Sequence, residues 1–337
     1  MSGPKSPARV RLSNSEQETV GALGEFGLID RFVSRIGAAP GDEVWSGDDA
    51  AVFSMEPQRL LLTTDVLVEG IDFDRNYATG HDVGWKTFAA NVSDIAAMGG
   101  RPRRAVATLC LPSTTQVVFV DELLDGLLAA SERWGAGVVG GDVSEADRIS
   151  VGVALVGNAE HPVLRSGAKP GDAICVTGSL GGAAGGLLAL RTDVEGVAEL
   201  KRRQLRPVAR VEEGVVAATA GATAMIDISD GFARDLGHLV AASGVGCEIE
   251  IDSIPVDPAL ADLAELIFPM EAALAGGEDF ELLLTIPEGS LNRLSIELNE
   301  IGTEVTRVGT ITDGEARLGT TSLEQWKEGG WEHLRTQ

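Results

Sequence analysis

Residues 224–238, AMIDISDGFARDLGH, join the two patterns that decide the fold. Residues 224–228 form a short apolar run of the kind that makes a buried strand, although Asp227 lies inside it. The next three residues, SDG, are turn formers, and apolar residues then recur with helical spacing over 232–242. A strand, an acidic turn and a helix in direct succession are typical of proteins in which helices pack against a sheet.

The same alternation of strand and helix extends along the chain. Helical spacing of apolar residues recurs at 82–98 and 121–134. Together these patterns predict an α/β or α+β protein. Further apolar, β-branched runs predict strands at 60–66, 105–111, 149–156, 173–177, 247–251, 280–286 and 305–311.

A segment rich in turn formers divides the chain into two halves. Residues 161–172 read HPVLRSGAKPGD, and a predicted strand follows directly. The chain has 337 residues, which is longer than the size at which single hydrophobic cores stop growing. We therefore expect a disordered tail at 1–20, an N-terminal domain at 21–160 and a C-terminal domain at 161–337.

Acidic residues recur beside Gly, Ser or Thr at element boundaries in both halves. Burying the carboxylate of Asp227 is costly unless it has a partner such as a metal ion. Taken singly, most of the motifs also fit a turn or a helix cap. Together, their oxygen ligands suit Mg²⁺, and metal-bridged phosphates are the usual reason for gathering several such groups. The motifs are GDDAAV at 47–52, TTD at 63–65, NVSD at 91–94, GGD at 140–142, IDISDG at 226–231 and GGED at 276–279.

The net charge restricts the classes of partner. The chain has 27 Lys and Arg against 51 Asp and Glu, a formal charge of −24. Nucleic acids and anionic membranes bind basic surfaces, so we expect neither as a partner. The N-terminus lacks the apolar core of a signal peptide, and no apolar run approaches the roughly 20 residues that span a bilayer. We therefore expect a cytoplasmic protein in which bound cations supply the positive charge that an anionic substrate needs.

Two glycine-rich segments resemble nucleotide-binding motifs but lack the required context. Residues 135–140, GAGVVG, follow a helix and enter a strand, which is the reverse of the dinucleotide fingerprint. In residues 80–87, GHDVGWKT, Trp85 takes the place of the second glycine of a Walker A loop. Any ATP would therefore be held without a P-loop. A third segment, GSLGGAAGG at 178–186, would either line a phosphate or simply allow close packing.

The ordered set of motifs resembles the thiamine-monophosphate kinases. The resemblance extends from about residue 24 to the C-terminus, and the motifs that carry it are GDDAAV, TTDVLVEGIDF, NVSDIAAMGG, GGDV, RSGAKPGD, IDISDG and GGEDFELL. The wider superfamily includes aminoimidazole ribonucleotide synthetase, selenophosphate synthetase and a hydrogenase-maturation protein. The resemblance implies a two-domain aminoimidazole ribonucleotide synthetase-like fold whose N-terminal sheet forms a homodimer interface, with ATP in a cleft near that interface.

The resemblance also implies an activity and a set of site residues. The activity is the ATP- and Mg²⁺-dependent phosphorylation of thiamine monophosphate to thiamine diphosphate by direct in-line transfer, with several Mg²⁺ ions. The implied magnesium ligands are Asp49, Thr63, Thr64, Asp65, Asp94, Asp142, Asp227 and Asp230. The implied ATP contacts are Gly141, Asp142, Arg165 and Ser229, the implied acceptor contacts are Asp72, Glu278 and Trp331, and the implied catalytic residues are Asp142, Asp227 and Arg165.

One position departs from the family pattern. The family commonly has His where this chain has Asp72, and an Asp there would repel the acceptor phosphate or need a metal bridge. Trp331 fits its implied role, because a thiazolium is a cation and Trp offers the best aromatic face for one. The second pKa of a phosphate monoester is about 6, so the acceptor is largely ionised at neutral pH and needs charge neutralisation rather than a general base.

Two other functions stay open at this stage. One is another ATP-using enzyme of the superfamily, and the other is a nucleotide or metal sensor without catalysis. Selenophosphate synthetase requires a reactive Cys near the N-terminus, whereas the first cysteine here is Cys110; the hydrogenase-maturation protein ends in a Cys, whereas this chain ends in Gln337. Aminoimidazole ribonucleotide synthesis is less easily excluded, although IDISDG and GGEDFELL fit the kinase better. Retention of the whole acidic set argues against a sensor.

Overall fold

The computed structural model describes residues 18–37 and 59–323, which contain one sheet in each half of the chain. The N-terminal half consists of α1 (Val20–Ile36, interrupted at Gly24), β1 (Arg59–Val68), α2 (Gly80–Ala97), β2 (Arg101–Leu111), α3 (Val117–Trp134), β3 (Gly137–Glu145) and β4 (Ser150–Ala159). Its strands are ordered β1–β4–β2–β3. The pairs β1–β4 and β4–β2 are antiparallel, and the pair β2–β3 is parallel.

The C-terminal half builds a larger sheet. Its elements are β5 (Asp172–Thr177), α4 (Gly182–Arg191), α5 (Ala198–Leu205), α6 (Val211–Ala220), β6 (Ala224–Asp227), α7 (Phe232–Ser243), β7 (Gly246–Ile249), α8 (Pro269–Ala275), β8 (Leu282–Pro287), α9 (Glu288–Glu300), β9 (Val305–Thr312), β10 (Ala316–Leu318) and β11 (Thr321–Ser322), with 3-10 turns at Ile251–Ser253 and Pro258–Leu263. The strand order is β11–β10–β7–β9–β5–β8–β6. The pair β10–β7 is parallel, and the other pairs are antiparallel.

Helices cover one face of the N-terminal sheet, and among the residues that the structure describes none packs on the other face, which we call the open face. Phe88 and Val92 of α2 and Leu123 of α3 are buried in one core with Leu155 of β4. Helix α2 begins at a capping box, which satisfies backbone N–H groups that the first helical turn leaves without partners. The C-terminal sheet instead has helices on both faces, with α7 in one core and α6 and α9 in another.

Helix α2 joins the two halves. It belongs to the N-terminal core, but it also contacts α5, α6 and β6 of the C-terminal half. Gly214 of α6 permits this approach, because a Cβ there would lie 2.1 Å from the carbonyl oxygen of Ala96. An ion pair between Arg206 and Asp82, 2.5 Å long, crosses the same junction. The packing therefore brings the NVSD motif of one half beside the IDISDG motif of the other.

The structure confirms the predicted fold class and corrects one local prediction. All the predicted strand runs form strands, and the three predicted helices are present with shifted ends. The prediction that the TTD motif at 63–65 lies at an element boundary was wrong, because β1 continues to Val68 and its pairing with β4 is unbroken. The strand that residues 135–140 were expected to enter is β3, whose bounds the apolar runs did not give because its glycines weaken the strand pattern. The predicted domain limits and tail stay predictions.

No helix within the described ranges is both long and apolar enough to cross a membrane.

The contact between α2 and α3 predicts a sharp sensitivity at Gly84. A Cβ at this position would lie 2.0 Å from the carbonyl oxygen of Leu123 and 2.8 Å from the amide nitrogen of Leu127, so the two helices would have to separate. We expect Gly84→Ala to lower the free energy of unfolding by about 1–3 kcal/mol, measured by urea denaturation.

Gly289 provides the matched control for this substitution. It lies in α9, and a Cβ there would meet nothing within 4 Å. Gly289→Ala should therefore be neutral or stabilising by up to about 1 kcal/mol, because alanine restricts the unfolded chain and favours helix. Equal stability of the two variants would contradict the helix packing described above.

Candidate functional site

Three carboxylates and one hydroxyl from the two halves meet beside α2, and we call this group the acidic cleft: Thr63, Asp65, Asp94 and Asp227. The Thr63 hydroxyl donates a hydrogen bond of 2.5 Å to Oδ2 of Asp94, which joins β1 to α2. The Ser93 hydroxyl donates a hydrogen bond of 2.7 Å to Oδ2 of Asp227, which joins α2 to β6. Adjacent residues of α2 thus hold the acids of both halves.

The local structure explains why Asp65 faces the cleft. Side chains alternate along β1, so Thr63 and Asp65 share the covered face of the sheet with Leu61 and Leu67. The buried side chain of Asn91 fixes this stretch, because its Oδ1 accepts the backbone N–H of Asp65 at 3.0 Å. The cleft is therefore built on a strand and a helix rather than on loops.

The carboxylates of the cleft are electrostatically unfavourable together. Burial raises the pKa of Asp227, and the nearby charges of Asp94 and Asp65 raise it further, while the hydrogen bond from Ser93 opposes the shift. Burial also raises the pKa of Asp94, against the hydrogen bond from Thr63. A positive charge in the cleft would relieve this repulsion. The donor atoms are carboxylate and hydroxyl oxygens, which is the ligand set that Mg²⁺ prefers, so the residues present fit this ion.

Arg165 supplies a positive charge near the cleft. It is exposed in the segment between β4 and β5, and its charge lowers the pKa of both Asp94 and Asp227. The hydroxyl of Ser243 donates to its backbone carbonyl at 3.1 Å, which fixes the segment to the end of α7. A guanidinium at this point is suited to an anion that enters the cleft.

Asp235, which the sequence analysis did not single out, fixes the turn after β6. Its Oδ2 accepts the backbone N–H groups of Ser229, Asp230 and Gly231 at 3.0, 3.1 and 3.2 Å. Burial raises its pKa to about 8, and the nearby Asp227 and Asp230 add to the shift. Ligand atoms of Asp230, Asp235 and His238 all lie within 4.8 Å of one another. The signal in the sequence was an Asp four residues after the glycine of the turn.

The GGED segment is fastened to this turn. The backbone N–H of Glu278 donates to the carbonyl of Ser229 at 2.8 Å, and that of Phe280 donates to the carbonyl of Ile228 at 2.9 Å. Glu278 and Phe280 adopt left-handed backbone angles, φ 70° and 51°, which side-chain-bearing residues rarely do. Strain of this kind persists only where the surrounding contacts enforce it, and it is concentrated at functional sites.

Asp279 anchors the glycine-rich segment that opens α4. Its carboxylate accepts the backbone N–H groups of Gly181 and Ala183 at 2.7 and 3.0 Å. Burial raises its pKa to about 7, while those two hydrogen bonds oppose the shift.

A Cβ at Gly186 would lie 2.0 Å from the carbonyl oxygen of Leu200. Close packing of α4 on α5 thus accounts for this glycine.

The predicted acceptor residues Asp72 and Glu278 converge on Lys86 of α2. Glu278 forms an ion pair of 2.6 Å with Lys86, whose ammonium also lies 3.4 Å from the carbonyl oxygen of Asp72. Oδ2 of Asp72 accepts the backbone N–H of Val68 at 2.8 Å. A small pocket borders this group, and its lining includes Asp72, Phe73, Tyr77, Lys86 and Gln204. Neither Lys86 nor Gln204 was among the predicted site residues.

The remaining predicted site residues lie away from the cleft or outside the described chain. Thr64 points to the open face of the N-terminal sheet, and its hydroxyl donates to the carbonyl of Val153 at 3.0 Å. Asp142 of β3 is exposed and stands opposite Thr108. Gly141 stands opposite Ala107, where a Cβ would lie 2.0 Å from the backbone oxygen. Asp49 and Trp331 lie outside the residues that the structure describes.

Comparison with protein families identifies both halves of the chain. Residues 47–159 match the model of the AIR synthase related protein, N-terminal domain, and residues 169–319 match that of the C-terminal domain. The solved structure of a hydrogenase maturation protein HypE in complex with ATP has a TM-score of 0.71 at 18% identity, which is a likeness of fold. The chain is thus a two-domain protein of the AIR synthase related class.

More similar relatives define the family within this class. The thiamine-monophosphate kinase of Aquifex aeolicus is 37% identical over 318 residues, which cover 93% of this chain and 98% of that protein. The thiamine-monophosphate kinase of Escherichia coli is 35% identical over 329 residues, 94% of this chain and 99% of that protein. The chain therefore belongs to the thiamine-monophosphate kinase family.

Solved structures agree with this assignment. The thiamine-monophosphate kinase of Stenotrophomonas maltophilia K279a has a TM-score of 0.77 at 33% identity, over 86% of this chain and 94% of that chain. A structure described as AaThiL complexed with AMPPCP and TMP has a TM-score of 0.74 at 35% identity, over 93% of this chain and 97% of that chain.

Proposed function

We propose that this chain transfers the γ-phosphoryl group of ATP to the phosphate of thiamine monophosphate, giving thiamine diphosphate and ADP. The observation that carries the proposal is the acidic cleft, where the buried Asp227 of one half lies close enough to the half-buried Asp94 of the other for their charges to repel, so that a cation between them is favoured. The relatives named above support the substrates, since one of them is described with TMP and with AMPPCP, an analogue of ATP.

The chemistry requires electrostatic help more than proton transfer. One oxygen of the acceptor phosphate forms a bond to the γ-phosphorus in line with the bond to the leaving ADP, which breaks. The acceptor oxygen is already largely ionised at neutral pH, because the second pKa of a phosphate monoester is about 6. The protein therefore has to position two polyanions and to neutralise their charge.

The residues of the cleft have distinct parts in this proposal. Mg²⁺ held there would neutralise the γ-phosphoryl group and the incoming phosphate. Of the proposed magnesium ligands, Thr63, Asp65, Asp94 and Asp227 form the cleft and Asp230 lies in the turn after β6. The others are Thr64 and the exposed Asp142, which lie away from the cleft, and Asp49, which lies outside the described residues. Gly141, Asp142, Arg165 and Ser229 contact ATP, and Asp142, Asp227 and Arg165 are the catalytic residues. The guanidinium of Arg165 binds phosphate oxygens with its planar set of donors.

Asp72, Glu278 and Trp331 are the proposed acceptor contacts. The carboxylate of Asp72 accepts the backbone N–H of Val68, so its position is fixed by the turn after β1 rather than by the acceptor. This contact gives Asp72 a local structural role at the point where the family commonly has His. It supports the proposal that the Asp is compatible with acceptor binding.

We also propose a cytoplasmic homodimer formed through the N-terminal sheet. The open face of this sheet carries exposed apolar side chains at Leu60, Leu62 and Val66 of β1 and at Val106 of β2. Exposed apolar patches on a sheet favour burial against a partner. Asp142, exposed on β3 of the same sheet, would then lie near the junction of two protomers.

The direct test of the activity is coupled ADP release with ATP, Mg²⁺ and thiamine monophosphate, together with product analysis. We expect turnover with the monophosphate, thiamine diphosphate as the product, and no turnover with free thiamine or without an acceptor. Binding of ATP by a folded protein without turnover would reject the substrate assignment. It would leave another activity of the superfamily or a nucleotide sensor.

The homodimer is tested by the mass of the protein in solution. Leu62, which is 76% exposed on the open face, should stabilise the dimer when buried. We expect Leu62→Glu to give a monomer by light scattering after gel filtration, because the substitution places a charge on each side of the contact. Ile296→Glu, on exposed α9 of the C-terminal half, is the matched control and should stay dimeric. A monomeric wild-type protein would contradict the proposal.

A further inference from the structure

We propose that Lys86 and Gln204 are positioning residues for the acceptor, which act by holding the two carboxylate oxygens of Glu278 in a fixed orientation. We call this arrangement the Glu278 clamp. The inference rests on the proposed function, because it concerns the acceptor side of the same site. It adds two residues to the site, one from each half of the chain.

Each carboxylate oxygen of Glu278 has its own partner in the clamp. The ammonium of Lys86 lies 2.6 Å from Oε1 of Glu278, and Nε2 of Gln204 donates to Oε2 at 2.7 Å. Hydrogen bonds with a charged partner are among the stronger ones in proteins. With both oxygens held, the plane of the carboxylate is defined, and the remaining lone pairs point in set directions.

Both partners of Glu278 are buried polar side chains, and burying such groups lowers the stability of the fold unless they are hydrogen-bonded. Lys86 and Gln204 are each only 4% exposed. Burying an ammonium is unfavourable unless its partner compensates for the lost hydration, and in this structure that partner is Glu278. The side chain of Glu278 is by contrast 33% exposed, so a ligand can reach it.

The clamp lies between the pocket and the acidic cleft. Lys86 and Gln204 both line the pocket that also contains Asp72, Phe73 and Tyr77. The backbone of Glu278 is strained and is fastened to Ser229, two residues after Asp227. A displacement of Glu278 would therefore change the acceptor side without removing any residue proposed to hold ATP.

Steady-state kinetics with three single variants and one double variant test the clamp. Lys86→Met keeps the aliphatic stem and removes the charge, Gln204→Leu removes the amide, and Glu278→Gln removes the charge that is held. We expect Lys86→Met and Gln204→Leu each to raise the KM for thiamine monophosphate about tenfold. The KM for ATP should change by less than about twofold, since the ATP contacts stay in place.

The double variant separates positioning from direct contact. If Lys86 acts through Glu278, adding Lys86→Met to Glu278→Gln should change the acceptor KM by less than about twofold. A further tenfold rise in the double variant would show that Lys86 contacts the acceptor itself, and it would overturn the clamp. An unchanged acceptor KM in Lys86→Met, or an equal rise in the KM for ATP, would overturn it as well.

Controls keep the outcome decisive. Arg101→Met removes a charge from another ion pair between the halves, Arg101 with Glu212 at 2.5 Å, and should leave both KM values unchanged.

If Lys86→Met fails to fold by circular dichroism, Gln204→Leu decides: a raised acceptor KM supports the clamp and an unchanged one overturns it. A wild-type protein that neither binds nor phosphorylates thiamine monophosphate overturns the proposed function and the clamp together. Wild-type turnover with insensitive variants overturns the clamp alone.

Discussion

The hydrogen bond from Ser93 to Asp227 joins the two halves of the molecule at the point where the carboxylate of Asp227 is repelled by the carboxylates of the other half. Asp227 is 3% exposed at the end of β6, and the charges of Asp94 and Asp65 raise its pKa in addition to burial. Carboxylates buried together in this way are unfavourable unless a cation or hydrogen bonds compensate. Helix α2 provides these hydrogen bonds because it lies between β1 and β6, the edge strands of the two sheets. Its Ser93 reaches Asp227 of β6, and its Asp94 reaches Thr63 of β1.

The surroundings of the cleft then act as supports for a few side chains. Asp235 fixes the backbone after Asp227, and Asp279 fixes the start of α4. Lys86 ties Glu278 to α2, so a single helix carries contacts to both the acidic cleft and the neighbouring pocket. A site supported by a helix and strands keeps its geometry better than one carried by loops alone, which suits a reaction that depends on aligning two polyanions.

The sequence predicts those parts of this arrangement that depend on local patterns. Asp94, in the last turn of α2, and Asp227, at the end of β6, stand in short motifs where an acid next to Ser or Ile is visible in a single window. Lys86, Gln204 and Asp142 could not be placed in this way. The partner of Lys86 is almost two hundred positions away in the chain, and a buried Lys on a helix has no local signature. Asp142 is exposed because it stands opposite the exposed Thr108 on the open face of the sheet, a placement that depends on strand pairing and not on its motif. The middle of β1 was mistaken for its end because Thr and Asp resemble a strand terminus.

The measurement that tests the central claim most directly is Mg²⁺ binding by calorimetry, in the presence of a non-hydrolysable ATP analogue. It compares the wild-type protein with Asp227→Asn and with Asp121→Asn, which removes a carboxylate of α3 that pairs with Arg31 and Arg35 of α1. If the acidic cleft is a cation site, Asp227→Asn binds fewer Mg²⁺ ions per chain or binds them at least about tenfold more weakly, while Asp121→Asn matches the wild type. Equal stoichiometry and affinity in all three proteins would contradict the account.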